Sequence, residues 1–376
     1  MNEKLTIRNF GPIKKADIEF KKTTVLIGEQ GTGKSAITKL IYVLNSSGFL
    51  LGTEKERKSI LDLYGIFFKR NTEFEFFTKQ FKVLRKQNKF FIDIFDTREN
   101  ELQKLIWNKG NLSKADISAL KQWNQFHYLI KSVTDVIYVP AERIALSASL
   151  RLLRNTPNRD LYQGNFDQYI IDFANHYDIA SKEVLELIIP HLENVSYSSR
   201  NSIEKVKFNK DDLFFYQTSS GFQVSIPLIV LFQYYGKEQK RSNKFIIEEP
   251  ELNLFPTAQY KLVKFFAEKI NFSKNTLLLT THSPYILTSL NNLLQAHSIG
   301  TKRNRGLKIS KIIEKKYWVD PNVMSAYMLH SNGISEDIMD REEGLIRAEK
   351  IDSVSTIIND EFDKLLRIDL GIKRKS

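Results

Sequence analysis

The feature that most constrains this chain of 376 residues is the loop GEQGTGKS at residues 28–35, which stands between a strand pattern and a helix pattern. The β-branched run Thr23–Ile27 predicts the strand, and the apolar spacing of residues 35–44 predicts the helix. In such a loop, glycines let backbone N–H groups converge on phosphate oxygens, and the helix N-terminus adds a partial positive charge. The predicted phosphate-binding residues are Gly28, Gly31, Thr32, Gly33, Lys34 and Ser35, with Lys34 on the β- and γ-phosphates and Ser35 on Mg²⁺.

A second apolar run, residues 245–247, ends in the carboxylates Glu248 and Glu249. A strand end beside a phosphate loop is a suitable place for a ligand of a metal-bound water and for a base that activates water. We therefore expect Glu248 in the metal shell and Glu249 against the attacking water, the alternative being a solvated charge pair. Because 214 positions separate Lys34 from Glu248 (248 − 34), the sequence also predicts a large insertion between the two halves of the site.

Two weaker signals flank the acidic strand. Residues 219–223 (SSGFQ) precede an apolar helix pattern at 224–235, so Ser220, Gly221 and Gln223 are candidates for reading a γ-phosphate. His282 follows the strand pattern at 276–280, where an imidazole can hydrogen-bond the γ-phosphate or the lytic water. The alternatives are an ordinary helix cap and a structural histidine.

Composition narrows the class of protein. The apolar content of 42% supports a sizeable core, and the absence of cysteine excludes disulfides and a thiol nucleophile. No apolar run reaches the roughly 20 residues of a membrane span, and the start carries no signal-peptide pattern, so we expect a cytoplasmic protein without membrane contact. The net charge of +12 indicates either polyanion binding or a generally basic composition.

Taken together, these segments resemble the ABC-type ATPases of the SMC, RecF and OLD group. The closest likeness is to the standalone AAA-15, or OLD/RecF-like, ATPases that are common in bacterial defence operons. The matching segments are residues 5–13 (first strand), 28–35 (Walker A), 219–223 (signature), 245–249 (Walker B), 251–256 (D-loop), His282 (switch histidine) and the ending at 351–363. Three places depart from the pattern: Glu248 replaces the usual aspartate, the signature is SSGFQ, and residues 138–143 (YVPAER) stand at the glutamine-loop position.

The resemblance implies an α/β fold: an ABC-type P-loop NTPase head, with a mixed and parallel sheet flanked by helices and an inserted, mainly helical arm subdomain. We divide the chain into residues 1–50 (N-terminal lobe of the head), 51–135 (mixed α/β insertion), 136–205 (helical arm) and 206–376 (C-terminal lobe). Helices are predicted over about 145–195 and 354–366, and basic strands near 307–319. Either Glu142, as a metal ligand, or Arg143 is expected near the metal or a dimer interface.

The resemblance also implies a mechanism and a set of partners. Two copies pair head to tail, ATP and Mg²⁺ bind the Walker A loop of one copy, and Ser220 and Gly221 of the other copy contact the γ-phosphate. The output is control of a partner effector, a nuclease or toxin, in anti-phage defence; the alternative is a RecF-like ATPase that binds double-stranded DNA, with residues 302–305, Lys308 and Lys311 as contacts or as a solvated loop. A fused nuclease and a transporter subunit are weaker alternatives, because the tail lacks an Asp-x-Asp pattern and the motifs resemble the SMC branch.

Overall fold

A computed structural model of the chain describes residues 3–95, 135–145, 167–236, 242–302, 305–347 and 360–365. The strands are β1 (Glu3–Phe10), β2 (Ile13–Phe20), β3 (Thr23–Ile27), β4 (Glu73–Phe77), β5 (Phe81–Lys86), β6 (Lys89–Ile94), β7 (Asp135–Val139), β8 (Glu186–Ile188), β9 (Val195–Arg200), β10 (Ile203–Phe208), β11 (Asp211–Phe214), β12 (Asn243–Glu248), β13 (Thr276–Thr281), β14 (Met324–Leu329), β15 (Ser335–Asp337), β16 (Met339–Asp340) and β17 (Leu345–Ile346).

The α-helices are α1 (Lys34–Leu44), α2 (Ser47–Leu51), α3 (Glu54–Leu63), α4 (Gln168–Glu183), α5 (Ser220–Tyr235), α6 (Pro256–Asn271), α7 (Pro284–Gly300) and α8 (Gly306–Ser310). Short 3-10 helices cover Ala141–Ala145, Phe215–Gln217, Lys315–Tyr317 and Pro321–Val323. Residues 360–365 are helical as well. Among the described helices, none is long and apolar enough to cross a bilayer.

The central sheet has the strand order β15-β14-β3-β13-β12-β7, and its strands are parallel except for β15 at the edge. Strands β3 and β12 are buried along their whole length, as expected of parallel strands that are covered on both faces. Side chains alternate between the faces: Phe245 and Ile247 join one apolar cluster, whereas Ile246 joins the other. The sheet is therefore the shared wall of two hydrophobic cores.

A different set of elements packs on each face of the central sheet. One cluster combines the sheet with α4, α5, α6 and α7, and its centre is the ring of Phe232 stacked on Phe245 at a centroid distance of 4.0 Å. The other cluster combines the opposite face with α1 and with an antiparallel sheet of order β2-β1-β4-β5-β6. Helix α1, which follows the phosphate loop, is thus held between two sheets.

Most of the predicted elements near the motifs are confirmed. These are β1, β3, α1, α5, β12 and β13, all within a few residues of their expected bounds. The predicted α/β class, a mixed and parallel sheet flanked by helices as in ABC-type heads, is also confirmed. The mixture of strands and helices expected between residues 51 and 135 is seen in its described part, from α2 to β6.

Two predictions of secondary structure are wrong. The helix expected over about 145–195 is present, in the described part of that range, only as α4, which ends at Glu183 and is followed by the strand β8. Strand β8 begins a four-stranded antiparallel sheet that continues through β9, β10 and β11. Val195, Tyr197 and Ser199 point inward at every second position, so a period of two outweighs helix propensity there. The 136–205 arm is accordingly not mainly helical where it is described, and its boundaries stay predictions.

The second error lies near the C-terminus. The basic strands expected at 307–319 are helical turns, α8 and Lys315–Tyr317. Apolar side chains there pack from helical turns, and Trp318 lies over Gly300, where any added Cβ would come within 2.2 Å of the indole ring. Of the helix predicted at 354–366, residues 360–365 are described and are helical, and the remainder lies outside the described residues.

Candidate active site

The sequence-predicted site residues meet at the carboxyl edge of the central sheet. In the strand registers Ile27 lies opposite Thr281, and Glu248 lies opposite Thr280. Since parallel strands end at the same edge, the loop after β3, the acidic pair after β12 and His282 after β13 share one crevice. Strand β13 separates the phosphate-loop strand from the acidic strand, which leaves a gap of about two strand spacings, roughly 10 Å.

The phosphate loop is closely packed at its first glycine. A Cβ on Gly28 would lie 2.3 Å from the carbonyl oxygen of Leu329, so the position accepts no side chain without moving β14. Within the loop, the Thr32 hydroxyl donates to the Glu29 carbonyl at 2.9 Å. Ser35 is exposed in the first turn of α1, in keeping with its predicted role at the metal.

The Lys34 ammonium group lies inside the loop. It donates to the carbonyls of Gly28 and Glu29 at 2.7 and 2.8 Å, and the residue is only 5% exposed. Burial lowers the pKa of Lys34, while the carboxylates Glu249, Glu248 and Glu251 oppose that shift. A cation enclosed by a glycine-rich loop, with helix α1 opening beside it, is the donor set that phosphate oxygens require.

Glu248 is anchored rather than free. It is 2% exposed, and its Oε1 accepts hydrogen bonds from the Thr38 hydroxyl at 2.5 Å and the Tyr138 hydroxyl at 2.8 Å. Burial, reinforced by Glu248, raises the pKa of Tyr138, so this phenol stays a donor. The bond from Thr38, one turn after Lys34, ties the phosphate-loop helix directly to the acidic strand.

Glu249 and His282 form the accessible pair of the site. His282 Nε2 lies 3.1 Å from Glu249 Oε1, and the two side chains are 30% and 27% exposed. Glu249 has a left-handed backbone, with a φ of 44°, and its N–H donates to the Thr280 carbonyl at 2.9 Å. This turn places the Glu249 carboxylate next to the imidazole, whereas Glu248 points into the interior.

Arg143 holds this turn from behind. Its buried guanidinium donates to the carbonyls of Glu248 at 2.7 Å and Glu249 at 2.6 Å, and also to those of Pro140 and Val224 at 3.1 and 3.0 Å. Burial is the main cause of a lowered pKa of about 10. Arg143 therefore lies at the acidic turn, beside the expected metal position, and its hydrogen bonds there go to backbone carbonyls. Its expected place near the metal or a dimer interface stays a prediction, as does the metal role of Glu142, which is exposed.

Glu251 supports the histidine turn. Its Oε1 accepts from the Thr281 hydroxyl at 2.7 Å and from the His282 backbone N–H at 2.8 Å. The other oxygen, Oε2, is buried and has no hydrogen-bond partner in the described part of the chain. A polar atom left in this state beside the site is consistent with a missing ligand or water.

The signature residues open helix α5. Ser219 and Ser220 are exposed, and Gly221 packs against the segment after the acidic pair, since a Cβ there would lie 2.9 Å from the Asn253 carbonyl oxygen. The Gln223 amide donates to the Thr218 carbonyl at 2.7 Å. The exposed helix start presents Ser220 to solvent, while Gln223 stabilises the turn.

Magnesium nucleotide fits this donor set. Among the described residues, no group of three or more histidines and carboxylates is suited to a metal ion. Mg²⁺ usually takes one or two protein ligands and completes its shell with water and phosphate oxygens. Ser35 and Glu248 would supply that small number, with the carboxylate acting directly or through a water.

A sequence model of AAA-15, described as an AAA ATPase domain, matches residues 1–149 and 160–287. The chain belongs to the AAA-15 family. The matched residues include the phosphate loop, the acidic pair and His282, so the AAA-15 ATPase assignment and the predicted site lie on the same part of the chain. The sequence matches none of the curated proteins.

Solved structures similar to this AAA-15 ATPase are heads of SMC proteins. An SMC head bound to the C-terminal winged-helix domain of ScpA is 12% identical, covers 89% of this chain and 96% of its own, and has a TM-score of 0.46. A Pyrococcus furiosus head with a coiled coil is 11% identical (90% and 95% coverage, TM-score 0.43), and a Thermotoga maritima head is 13% identical (90% and 98%, 0.40). Likeness of this degree does not bear on function.

Proposed function

We propose that this AAA-15 ATPase binds ATP with Mg²⁺ and hydrolyses it to ADP and phosphate as a nucleotide-dependent dimer. The observation that carries the proposal is the convergence of Lys34, Glu248, Glu249 and His282 at one edge of the parallel sheet. When bound, Mg²⁺ would neutralise charge on the phosphates and order water beside them.

The chain's own residues divide the work. Lys34 and the loop N–H groups hold the phosphates, and Glu248 is kept rigid by Thr38 and Tyr138 beside the metal position. Glu249 is the base that accepts the proton of the attacking water, because it is the accessible member of the acidic pair. His282 is within hydrogen-bond distance of that carboxylate and is placed to orient it.

The exposed start of α5 supports the proposed dimer. Ser220 is open to solvent beside the Asn253 segment, which supports a role in contacting a nucleotide held by a second copy. In a two-fold dimer each copy would give its phosphate loop to one site and Ser220 and Gly221 to the other. Closure would then depend on bound ATP, which makes the dimer a switch.

The first test is steady-state ATPase activity together with ATP binding in single variants. Glu249→Gln should bind ATP and lose turnover by about 10²- to 10⁴-fold, because the base is neutralised while the phosphate site is kept. Lys34→Ala should lose ATP binding itself. Wild-type turnover in Glu249→Gln would show that Glu249 is not the base. If Glu248→Gln loses turnover while Glu249→Gln stays active, the roles assigned to the two carboxylates are reversed.

For the cellular role we propose that the switch works in the cytoplasm as the sensor and regulator of an anti-phage system, controlling an effector such as a nuclease or toxin. The support is the resemblance to defence-operon ATPases. Tagged Glu249→Gln with ATP and Mg²⁺ should retain such a partner from native cells, and Lys34→Ala should not. Recovery of DNA and repair factors alone would contradict this role.

A RecF-like role with double-stranded DNA is the second candidate, and a specific observation favours it. Lys302, Arg305, Lys308 and Lys311 are all exposed around α8; residues 303 and 304 lie outside the described residues. Steep salt dependence of duplex binding, and stimulation of ATPase activity by the duplex, would support this role. Unchanged duplex binding after reversal of Lys308 and Lys311 would argue against these contacts.

A further inference from the structure

A lysine-lined cavity opens at the amino edge of the central sheet, opposite the ATP site. It has a volume of about 360 Å³ and lies where β3, β12 and β13 begin. Among the described residues that line it, five are lysines and one, Glu3, carries a carboxylate. The lining lysines are Lys21, Lys22, Lys79, Lys244 and Lys274.

The charges of this cavity do not cancel. Lys244, with its side chain 7% exposed, is paired with Glu3, so the other four lysines have no carboxylate among the described lining residues. Lys22 donates to the Asn271 carbonyl at 3.2 Å, and burial lowers its pKa. Within the described part of the chain, the ammonium groups of Lys21, Lys79 and Lys274 have no ion-pair partner.

An unsatisfied polar atom lies in the same wall. The Thr276 hydroxyl oxygen is buried and has no hydrogen-bond partner among the described residues, although Thr276 lines the cavity. Buried polar atoms are nearly always bonded, so each exception calls for an explanation. The half-buried Lys22, three lysines without an ion-pair partner and an unpartnered hydroxyl around one cavity form a site that an anion would complete.

We propose that this cavity binds a phosphate-bearing small molecule. Lysine is a common point-charge binder of phosphate, and the excess of positive charge suits a ligand with several phosphate oxygens better than a single carboxylate. The volume is within the range of small-molecule pockets. The phosphates of a DNA duplex cannot reach the Lys244 ammonium group inside the cavity, because that side chain is more than nine-tenths buried.

The cavity is separate from the ATP site but is joined to it by three strands. The strand β3 begins at the cavity and ends at the phosphate loop, a length of about 17 Å for its five residues. Strands β12 and β13 begin there as well and end at Glu248 and at His282. An anion bound at the amino edge would therefore be a second ligand of the sheet that bears the active site.

The test is calorimetric titration of the full chain with inorganic tripolyphosphate, in the presence of saturating AMP-PNP and Mg²⁺ to occupy the ATP site. Wild type should bind one equivalent. Lys79→Glu with Lys274→Glu should weaken binding by about tenfold or more, because two exposed cations of the site are reversed. The control, Lys207→Glu with Lys210→Glu, makes the same change in net charge at two other exposed lysines and should stay within about twofold of wild type.

Thr276→Val is a second variant that keeps the net charge and the shape of the side chain. It should fold normally, since the hydroxyl has no partner to lose, and should weaken tripolyphosphate binding severalfold. Absence of saturable binding in wild type, or equal weakening in both charge-reversed proteins, overturns the proposal. Binding of a short DNA duplex without tripolyphosphate binding, if lost in Lys79→Glu/Lys274→Glu, would make the surface a nucleic-acid contact and would also overturn it.

Discussion

At the scale of single residues, the site separates two neighbouring carboxylates by environment. Glu248 is enclosed by Thr38 and Tyr138, whereas Glu249 faces His282 and remains partly exposed. A rigid carboxylate suits a fixed metal position, and an accessible one suits proton transfer. The backbone turn at Glu249 produces this division, since it directs two successive side chains into different surroundings.

His191 is a buried histidine that lies outside the sequence motifs and whose protonation is coupled to folding. It is 1% exposed, neither ring nitrogen has a hydrogen-bond partner in the described residues, and burial together with Lys261 lowers its pKa to about 4. Between the ordinary pKa of 6.5 and the folded value, the unfolded chain binds a proton that the folded chain does not. The folded state therefore loses stability as the pH falls through this window.

We predict that His191→Leu removes part of the acid sensitivity of folding. From pH 7 to pH 4, wild type should lose about 3 kcal/mol of unfolding free energy through this one group, and the variant should not. Denaturant unfolding at both pH values measures the difference, with His297→Leu on α7 as the control. An equal pH dependence in wild type and His191→Leu would show that His191 is not buried in its neutral form.

Local sequence predicted which loop and acidic residues meet at one edge of the sheet but not all of their partners. The spacing of Lys34 and Ser35 after a strand is a strong local signal. The roles of Tyr138 and Arg143 had no such signal, since their bonds to Glu248 and Glu249 span more than 100 positions and depend on which strands become neighbours. The position of Thr38 beside the site could have been predicted from the sequence, because it is four residues after Lys34 on the same helix.

At the scale of elements, Arg143 connects three of them. Its guanidinium bonds reach Pro140 after β7, Val224 in α5, and the Glu248 and Glu249 carbonyls at the end of β12. The helix that carries the signature is thereby fixed to the acidic turn. A shift of α5 on dimer closure would be transmitted to Glu249 through this side chain.

We predict that Arg143→Met leaves ATP binding largely intact but lowers turnover by about 10²-fold, since Glu249 loses its support. Four carbonyls lose their donor, so unfolding free energy should fall by about 3 kcal/mol or more. Arg143→Lys should be intermediate. The control is Arg57→Met, because Arg57 also binds two carbonyls, those of Phe49 and Leu50, away from the site. Equal turnover in Arg143→Met and Arg57→Met would show that Arg143 has no positioning role.

Element prediction succeeded where a segment's own sequence pattern identifies it and failed where a strand forms only by pairing with other strands. Strands β3 and β12 are buried along their whole length and have a β-branched or apolar run at their centre, and α1 has apolar residues at helical spacing. The segment after α4 alternates polar and apolar residues over short strands with exposed ends, and its sheet depends on pairing with β10 and β11. Such pairing depends on the register between strands, so the sequence of a single strand does not predict it.

At the scale of the whole molecule, the site is expected to be divided between two copies. We predict that Lys34→Ala and Ser220→Arg each abolish ATPase activity alone, and that an equal mixture regains on the order of one quarter of the wild-type sites. Half of the randomly formed dimers would be mixed, and each would hold one intact site. Steady-state ATPase activity after mixing measures this recovery.

Two results would contradict the shared site. The first is wild-type activity in Ser220→Arg alone, which would mean that Ser220 contacts no nucleotide. The second is the absence of recovery in the mixture when co-purification of differently tagged subunits shows that mixed dimers form. Glu249→Gln with ATP provides the reference for a closed dimer, because it should bind nucleotide without turning it over.

The left-handed turn at Glu249 also limits how this protein can change over evolutionary time. A φ of 44° is costly for β-branched residues and is tolerated best by glycine, asparagine and aspartate. A lineage that gave up hydrolysis but kept the fold would therefore drift at this position toward a few small or polar residues, and not toward valine, isoleucine or threonine. The residue type found at position 249 in related sequences is thus a criterion for separating relatives that keep hydrolysis from relatives that have lost it.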